Sequence, residues 1–200
     1  MEDETRGWSE RSAPAVGQGL TERKTHPILL GAVATGLILL IVLLTQWFGG
    51  SSPQTPAEAI ARGLDAQSKG KLTDAERNYR IAVHLDPRNK FAQYDLGVVE
   101  QAEGNTPAAR SDYLRALDVD PNFVPALYNL AILLTRSQPL DAMTIYRRLL
   151  RIEPNNARAH ANLGAVLLSL GKKAEGNKEL DTAIALDPSI AGRVEPVKQR

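Results

Sequence analysis

A proline recurs in this chain at almost constant spacing, each time behind an apolar and an acidic residue: Leu85-Asp86-Pro87, Val119-Asp120-Pro121, Ile152-Glu153-Pro154 and Leu186-Asp187-Pro188. The prolines lie 34, 33 and 34 residues apart. A period of this length signals a stack of like units, each too small to bury its own apolar face, so that neighbours must cover one another. An acidic residue followed by proline ends one helix and steers the chain toward the next.

Aligned on those prolines, further columns appear. Twelve residues before each stands a small residue, Ala75, Ala109, Ala142 and Gly176, and eight before stands a ring or a leucine, Tyr79, Tyr113, Tyr146 and Leu180. Five before come Ala82, Ala116, Leu149 and Ala183, and Gly63, Gly97, Ala131 and Gly164 share a register in the first half of each unit. Small side chains let two helices approach closely, and a ring fills the gap beside them. From about Pro56 to Pro188 this order of small, large and proline positions resembles the tetratricopeptide repeat (TPR). The resemblance implies an all-α fold, a right-handed α-solenoid of four helix-turn-helix units (56–89, 90–123, 124–156 and 157–190), followed by a tail over 189–200.

Within those units the spacing predicts eight helices, at about 57–69, 73–85, 91–103, 107–119, 125–136, 139–151, 157–169 and 173–186. Glycines at 70, 104 and 171 fall where C-terminal caps belong. The third unit has Ser137-Gln138-Pro139 there and is one residue shorter, so its turn is expected to be tighter. Its Leu149 replaces an alanine and is expected to alter the helix spacing between units three and four. The tail is broken by Gly192 and Pro196. A capping helix is therefore expected to be weak or missing, which leaves Leu180, Ile184 and Leu186 partly covered, so that either the tail drapes over them or that end docks on another copy or a partner.

The N-terminal quarter has a different character. Residues 1–26 are polar and without apolar period, which fits a flexible tail; Trp8 is its only large ring, read as solvated or as part of a short linear motif. The 21 residues Ile28–Phe48 carry no charge. As a helix they would reach roughly 31 Å, enough for a hydrocarbon core, so 27–48 reads as one transmembrane helix. Trp47 and Phe48 stand where an interfacial belt would lie. A cleaved signal peptide is the competing reading; the run exceeds the usual apolar region and no A-x-A-like site follows. Arg23 and Lys24 precede the span, whereas the first cation after it is Arg62, so the positive-inside rule puts the N-terminus in the cytoplasm and the repeats on the other side of a bacterial inner or plasma membrane. Residues 49–55 read as a linker.

Chemistry has little to work with here. No nucleophile elbow, phosphate-binding loop or metal-ligand spacing appears, and His26, His84 and His160 lie apart, so no enzyme, cofactor or metal is expected. With 24 basic and 23 acidic groups spread evenly, the chain lacks the basic stripe of a nucleic-acid groove. Cysteine is absent, which removes disulfides and thiolate chemistry without assigning a compartment.

The resemblance implies that first helices line a concave groove that binds a peptide or helix of another protein. Its lining positions include Phe91, Tyr94, Asp95, Val98 and Gln101 in unit two, Tyr128, Asn129 and Ile132 in unit three, and Arg158 and Asn162 in unit four. Phe91, Tyr94, Val98, Tyr128 and Ile132 would form an apolar strip with the profile of a binding hot spot, unless they pack between units as core. Asn129 and Asn162, at matching sixth positions, are suited to an extended peptide backbone, or are plain surface residues. The family's carboxylate clamp is not matched, because Ile60 and Leu64 stand at its positions and only Asn129 and Arg158 would fit such a set. The expected function is a membrane-anchored interaction module; the alternative is a structural or chaperone subunit of a membrane-associated assembly, in secretion, cytochrome maturation or envelope biogenesis.

Overall fold

A computed structural model describes Pro53 and residues 55–198. The tail 1–26, the span 27–48 and most of the linker lie outside the described residues. Among the described residues no helix is long and apolar enough to cross a membrane.

Nine α-helices follow in order among these residues: α1 (Pro56–Ser68), α2 (Leu72–Leu85), α3 (Lys90–Ala102), α4 (Thr106–Val119), α5 (Val124–Leu134), α6 (Pro139–Ile152), α7 (Ala157–Ser169), α8 (Lys173–Leu186) and, after a 3-10 turn at Pro188–Ile190, α9 (Ala191–Lys198). They form an all-α solenoid in which α1/α2, α3/α4, α5/α6 and α7/α8 are the hairpins. Each second helix packs on the first helix of the next unit, and α1 touches α3 as α3 touches α5. First helices therefore meet one another on the inner side of the stack.

Local chemistry sets these boundaries. Thr55 Oγ1 accepts from the Glu58 amide, Asn89 Oδ1 from those of Phe91 and Ala92, and Asn156 Oδ1 from that of Ala159, each satisfying donors that a helix start leaves over. Pro56, Pro107, Pro125 and Pro139 sit in first turns, where a missing amide hydrogen costs nothing. Gly70, Gly104 and Gly171 end the first helices with φ of 70°, 83° and 76°, a left-handed conformation that glycine adopts without steric penalty. In the third unit α5 stops at Leu134, two residues before its expected end, and the Gln138 amide donates to the Leu134 carbonyl to close the shorter turn.

The acidic-proline phrase has a visible reason. Asp86, Asp120 and Asp187 each accept, through Oδ1, the amide two residues on, at Arg88, Asn122 and Ser189. The side chain thus closes the turn while the proline blocks helix continuation. Glu153, one methylene longer, accepts from the Asn156 side chain instead.

Tyr79, Tyr113 and Tyr146 are fully buried between the helices of their hairpins. A Cβ at Gly63 would lie 2.5 Å from the Tyr79 ring, and one at Gly97 2.8 Å from Tyr113. Glycine is therefore needed for these helices to touch at that separation. In the fourth unit Leu180 takes the place of the ring, and Gly164 and Gly176 bring α7 and α8 within contact of each other's backbone. Leu149 is fully buried and belongs to the largest core cluster, which runs from α4 to α7.

The expected bare C-terminal end is corrected by α9. Ile190 and Val194 are buried with Leu180 and Ala183, while Val197 and Ile184 pack against them. Leu180 is closed from solvent and Ile184 partly so, while Leu186 stays open at 39% exposure, so the chain itself covers most of that face. Gly192 does not break the helix because it sits on the open side, with nothing near where a Cβ would be.

Candidate functional site: an inner-face groove

The inner face is built from α1, α3, α5 and α7, and eight of the nine residues expected to line it divide into three sets, with Arg158 apart. Phe91, at 55% exposure, and Ile132, at 39%, open to solvent. Leu64 on α1 joins them at 51%. Single exposed apolar residues are ordinary on a protein surface; here three stand on successive inner helices.

Tyr94, Val98 and Tyr128 form the second set. All three are half-buried and pack against the α4–α7 core, so each joins the packing between helices and keeps only part of its surface open. Tyr94 stacks at 5.9 Å on Tyr113, and Phe123 meets both Tyr94 and Phe91 edge-on at 5.5 Å. Lys90 places its ammonium 5.2 Å from the Phe91 ring and 5.0 Å from that of Phe123 while pairing with Asp120. Rings fixed in this way lose little freedom when a ligand covers them.

The amides form the third set. Asn129 Nδ2 donates to the Tyr94 hydroxyl at 3.1 Å, and Asn162 Nδ2 donates to the Tyr128 hydroxyl at 3.2 Å. The sixth-position amide of one unit thus ties to the fifth-position phenol of the unit before, 35 and 34 residues away. The same amides also act on the buried phenols behind, Asn129 on Tyr113 and Asn162 on Tyr146, so each asparagine is held between two rings. Gln101 is committed differently: its Oε1 accepts from the buried Tyr113 hydroxyl at 2.8 Å, as Gln67 does from Tyr79. Burial pushes the Tyr79 and Tyr113 phenols well above their ordinary range and that of Tyr146 up to about 12, so all three are neutral, and Tyr79 and Tyr113 donate to their glutamines. Gln101 therefore braces a hairpin.

Arg158 is exposed on α7 and belongs to a different part of the groove. With Asn162, Tyr128, Arg193 and Val194 it lines a cavity of about 260 Å³ between α7 and α9. The repeat columns do not point to Arg193 and Val194, because both lie on the unforeseen capping helix. Both arginines act on Asp187, whose carboxyl is held below its ordinary range chiefly by the Ser189 hydroxyl.

Asp95 is expected from the sequence only as lining, yet its chemistry is unlike its neighbours'. Desolvation on the groove floor pushes its carboxyl up to about 6. The available signal is its column, where units three and four have asparagine.

Other polar groups are committed elsewhere. His160 has Nδ1 2.6 Å from Glu179 Oε2 and Nε2 2.9 Å from the Pro154 carbonyl, which makes it a tie between helices. Glu76, Glu100 and Glu103 bring carboxylate oxygens within 4.8 Å of one another on α2 and α3. Arg80 already bridges two of them, at 2.7 Å to Glu76 and 2.9 Å to Glu100, and Asn105 donates to Glu100.

Known proteins share this architecture. The photosystem I assembly protein Ycf3 of Synechococcus elongatus is 35% identical over 74 residues, covering 36% of this chain and 43% of its own. The type IV pilus assembly protein PilF of Pseudomonas aeruginosa is 29% identical over 140 residues, covering 66% of this chain and 55% of its own. The chain thus spans about half the length of these curated relatives. MamA of Desulfovibrio magneticus superposes with a TM-score of 0.64 at 19% identity, over 69% of this chain and 78% of its own, a likeness of fold. The tetratricopeptide repeat pattern matches at 60–123, 94–152 and 132–189, overlapping stretches that cover more than half of the 200 residues, and the chain belongs to the tetratricopeptide repeat family.

Proposed function

We propose that the protein is a non-catalytic docking subunit whose inner groove holds a peptide or helix of a partner, tethered to a membrane through Ile28–Phe48 with the repeats on the extracytoplasmic side. The observation that carries the groove is the exposed apolar row of Leu64, Phe91 and Ile132 beside rings held in place by Phe123 and by the asparagines of the following units. A segment lying along four units would bury on the order of 1,200–2,000 Å², a standard interface. The tether is supported by the uncharged run and its flanking cations.

The second reading, a chaperone or structural subunit of a membrane-associated assembly, is favoured by the relatives, since Ycf3 and PilF are both named as assembly proteins. In that reading the lasting contacts lie outside the groove, and the complex does not depend on it.

A photoreactive residue placed at Phe91 or Ile132 of the full-length chain in its native cells tests the groove, with Leu140 on the second helix of unit three as control. Both groove positions should capture one and the same protein, Leu140 should not, and Ile132→Asp should remove that protein from pull-downs without loss of helicity. Equal capture at Leu140, or none from the groove, overturns the docking reading. A stoichiometric complex that survives Ile132→Asp favours the assembly reading.

A further inference from the structure

The ladder of the inner face has an irregular first rung. In units three and four a sixth-position asparagine donates to the phenol of the preceding unit, Asn129 to Tyr94 and Asn162 to Tyr128. One unit earlier, the same register sets Asp95 against Ile60, a carboxylate where an amide belongs and an apolar side chain where the phenol belongs. No hydrogen bond or ion pair involves Asp95 among the described residues.

Among the described residues no cation forms an ion pair with this carboxylate. Asp95 raises the phenol pKa of both Tyr79 and Tyr94, so it lies beside those rings. The Tyr79 hydroxyl proton is spent on Gln67, and the Tyr94 hydroxyl, which accepts from Asn129, makes no hydrogen bond to Asp95. On α3 the residues sharing its face are Phe91, four before, and Val98, three after. A half-buried carboxylate without a partner is costly unless something supplies the missing charge. Lys90, the nearest cation in sequence, is already paired with Asp120.

Building on the groove reading, we infer that Asp95 is the specificity position of that groove and takes a lysine or arginine side chain from a partner segment whose flanking residues are apolar. The cation would lie against the Phe91 side of α3, with apolar neighbours covering Leu64 and Val98 and its ammonium or guanidinium donating to the carboxylate. Charge-assisted hydrogen bonds in a partly desolvated site are stronger than neutral ones. They also discriminate, because an acidic or uncharged residue at that point leaves the carboxylate buried and unpaired.

The test uses the full-length chain and a displayed library of random dodecapeptides as probe. The wild-type chain should enrich sequences with one lysine or arginine between apolar residues. With Asp95→Asn, which keeps the shape and restores the amide of units three and four, cation enrichment should fall to library background. Affinity for a lysine peptide selected on wild type should drop about tenfold, equivalent to about 1.4 kcal/mol. Asp95→Glu should retain the preference, and the melting temperature of Asp95→Asn should not fall, which excludes misfolding as the cause. Enrichment of apolar peptides without a cation, or equal affinity of Asp95→Asn for the lysine peptide, overturns the assignment of Asp95 while leaving the groove standing. No enrichment at all, or enrichment unaffected by Phe91→Ala, overturns the groove with it.

Discussion

Asp95 also ties stability to pH in a direction opposite to most carboxylates. Its carboxyl titrates near pH 6 in the fold against an ordinary 3.8, because burial penalises the charged form. Between those values the folded chain holds a proton that the unfolded chain has released, so stability falls as pH rises through this window and stays lowered above it. The shift corresponds to at most about 3 kcal/mol, and water in the groove reduces it to roughly 1–2 kcal/mol. Asp120, Glu175 and Asp187 behave in the opposite sense, since hydrogen bonds from Lys90, Lys172 and Ser189 hold their carboxyls low, so their contribution is lost as acid protonates them. Comparing Asp95→Asn with wild type isolates the one from the others. By urea unfolding, the variant should be the more stable above pH 7 by about 1–2 kcal/mol, with the difference closing near pH 4. A constant difference across that range would mean the carboxylate is well solvated. The place of Asp95 in its column is legible in the sequence but its role is not, since its isolation depends on Ile60 standing where units two and three have a tyrosine.

Close approach of paired helices makes the glycines of the first helices unequal to glycine elsewhere. At Gly164 a Cβ would lie 2.6 Å from Leu180 and 2.9 Å from the Gly176 carbonyl, and a backbone oxygen cannot swing aside. Gly164→Ala should therefore lower stability by about 1–2 kcal/mol, overpacking outweighing the gain in helix propensity. Gly192 on α9 is the counterpart, with no atom within 4 Å of where a Cβ would stand, and Gly192→Ala should raise stability by about 0.5–1 kcal/mol. Urea midpoints of the two variants should move in opposite directions; a shift of the same sign in both would refute close packing as the reason for the column. These columns are why the eight repeat helices are legible: Gly63, Tyr79 and Pro87 recur because one packing solution is repeated. Helix α9 falls outside the period and contains both Gly192 and Pro196, so it reads as a broken tail. Its real signal is Ile190, Val194 and Val197, an apolar i, i+4, i+7 face that only makes sense once Leu180 is seen to need a cover. The groove residues are legible as positions but not as partners, because the Asn129–Tyr94 and Asn162–Tyr128 bonds join residues a full unit apart.

At the scale of the whole repeat region, stability is a chain of nearest-neighbour contacts. Each helix touches those beside it in the stack, and beyond that contact is chiefly between first helices. In such an array, damage at one end propagates by loss of neighbours and fades with distance. Ending the chain at Pro188 tests this. The truncation removes Ile190 and Val194 from the cover over Leu180 and Ala183, each worth roughly 1.5–3 kcal/mol of apolar burial. Hydrogen exchange should then quicken in α8 and α7, weakly in α6, and not in α1 and α2, whose core of Ala66, Ala75 and Tyr79 is separate. The cavity that Arg158 and Asn162 share with Arg193 and Val194 would lose one wall, while the Phe91–Ile132 stretch would keep its supports in α4 and α6. A peptide selected on the intact chain should consequently still bind the truncated one through Asp95 and Phe91, with a faster off-rate only for peptides long enough to reach unit four. Uniform acceleration of exchange across all helices would instead mean that the repeats unfold as one cooperative block, and that the groove cannot be loosened at one end without losing the other.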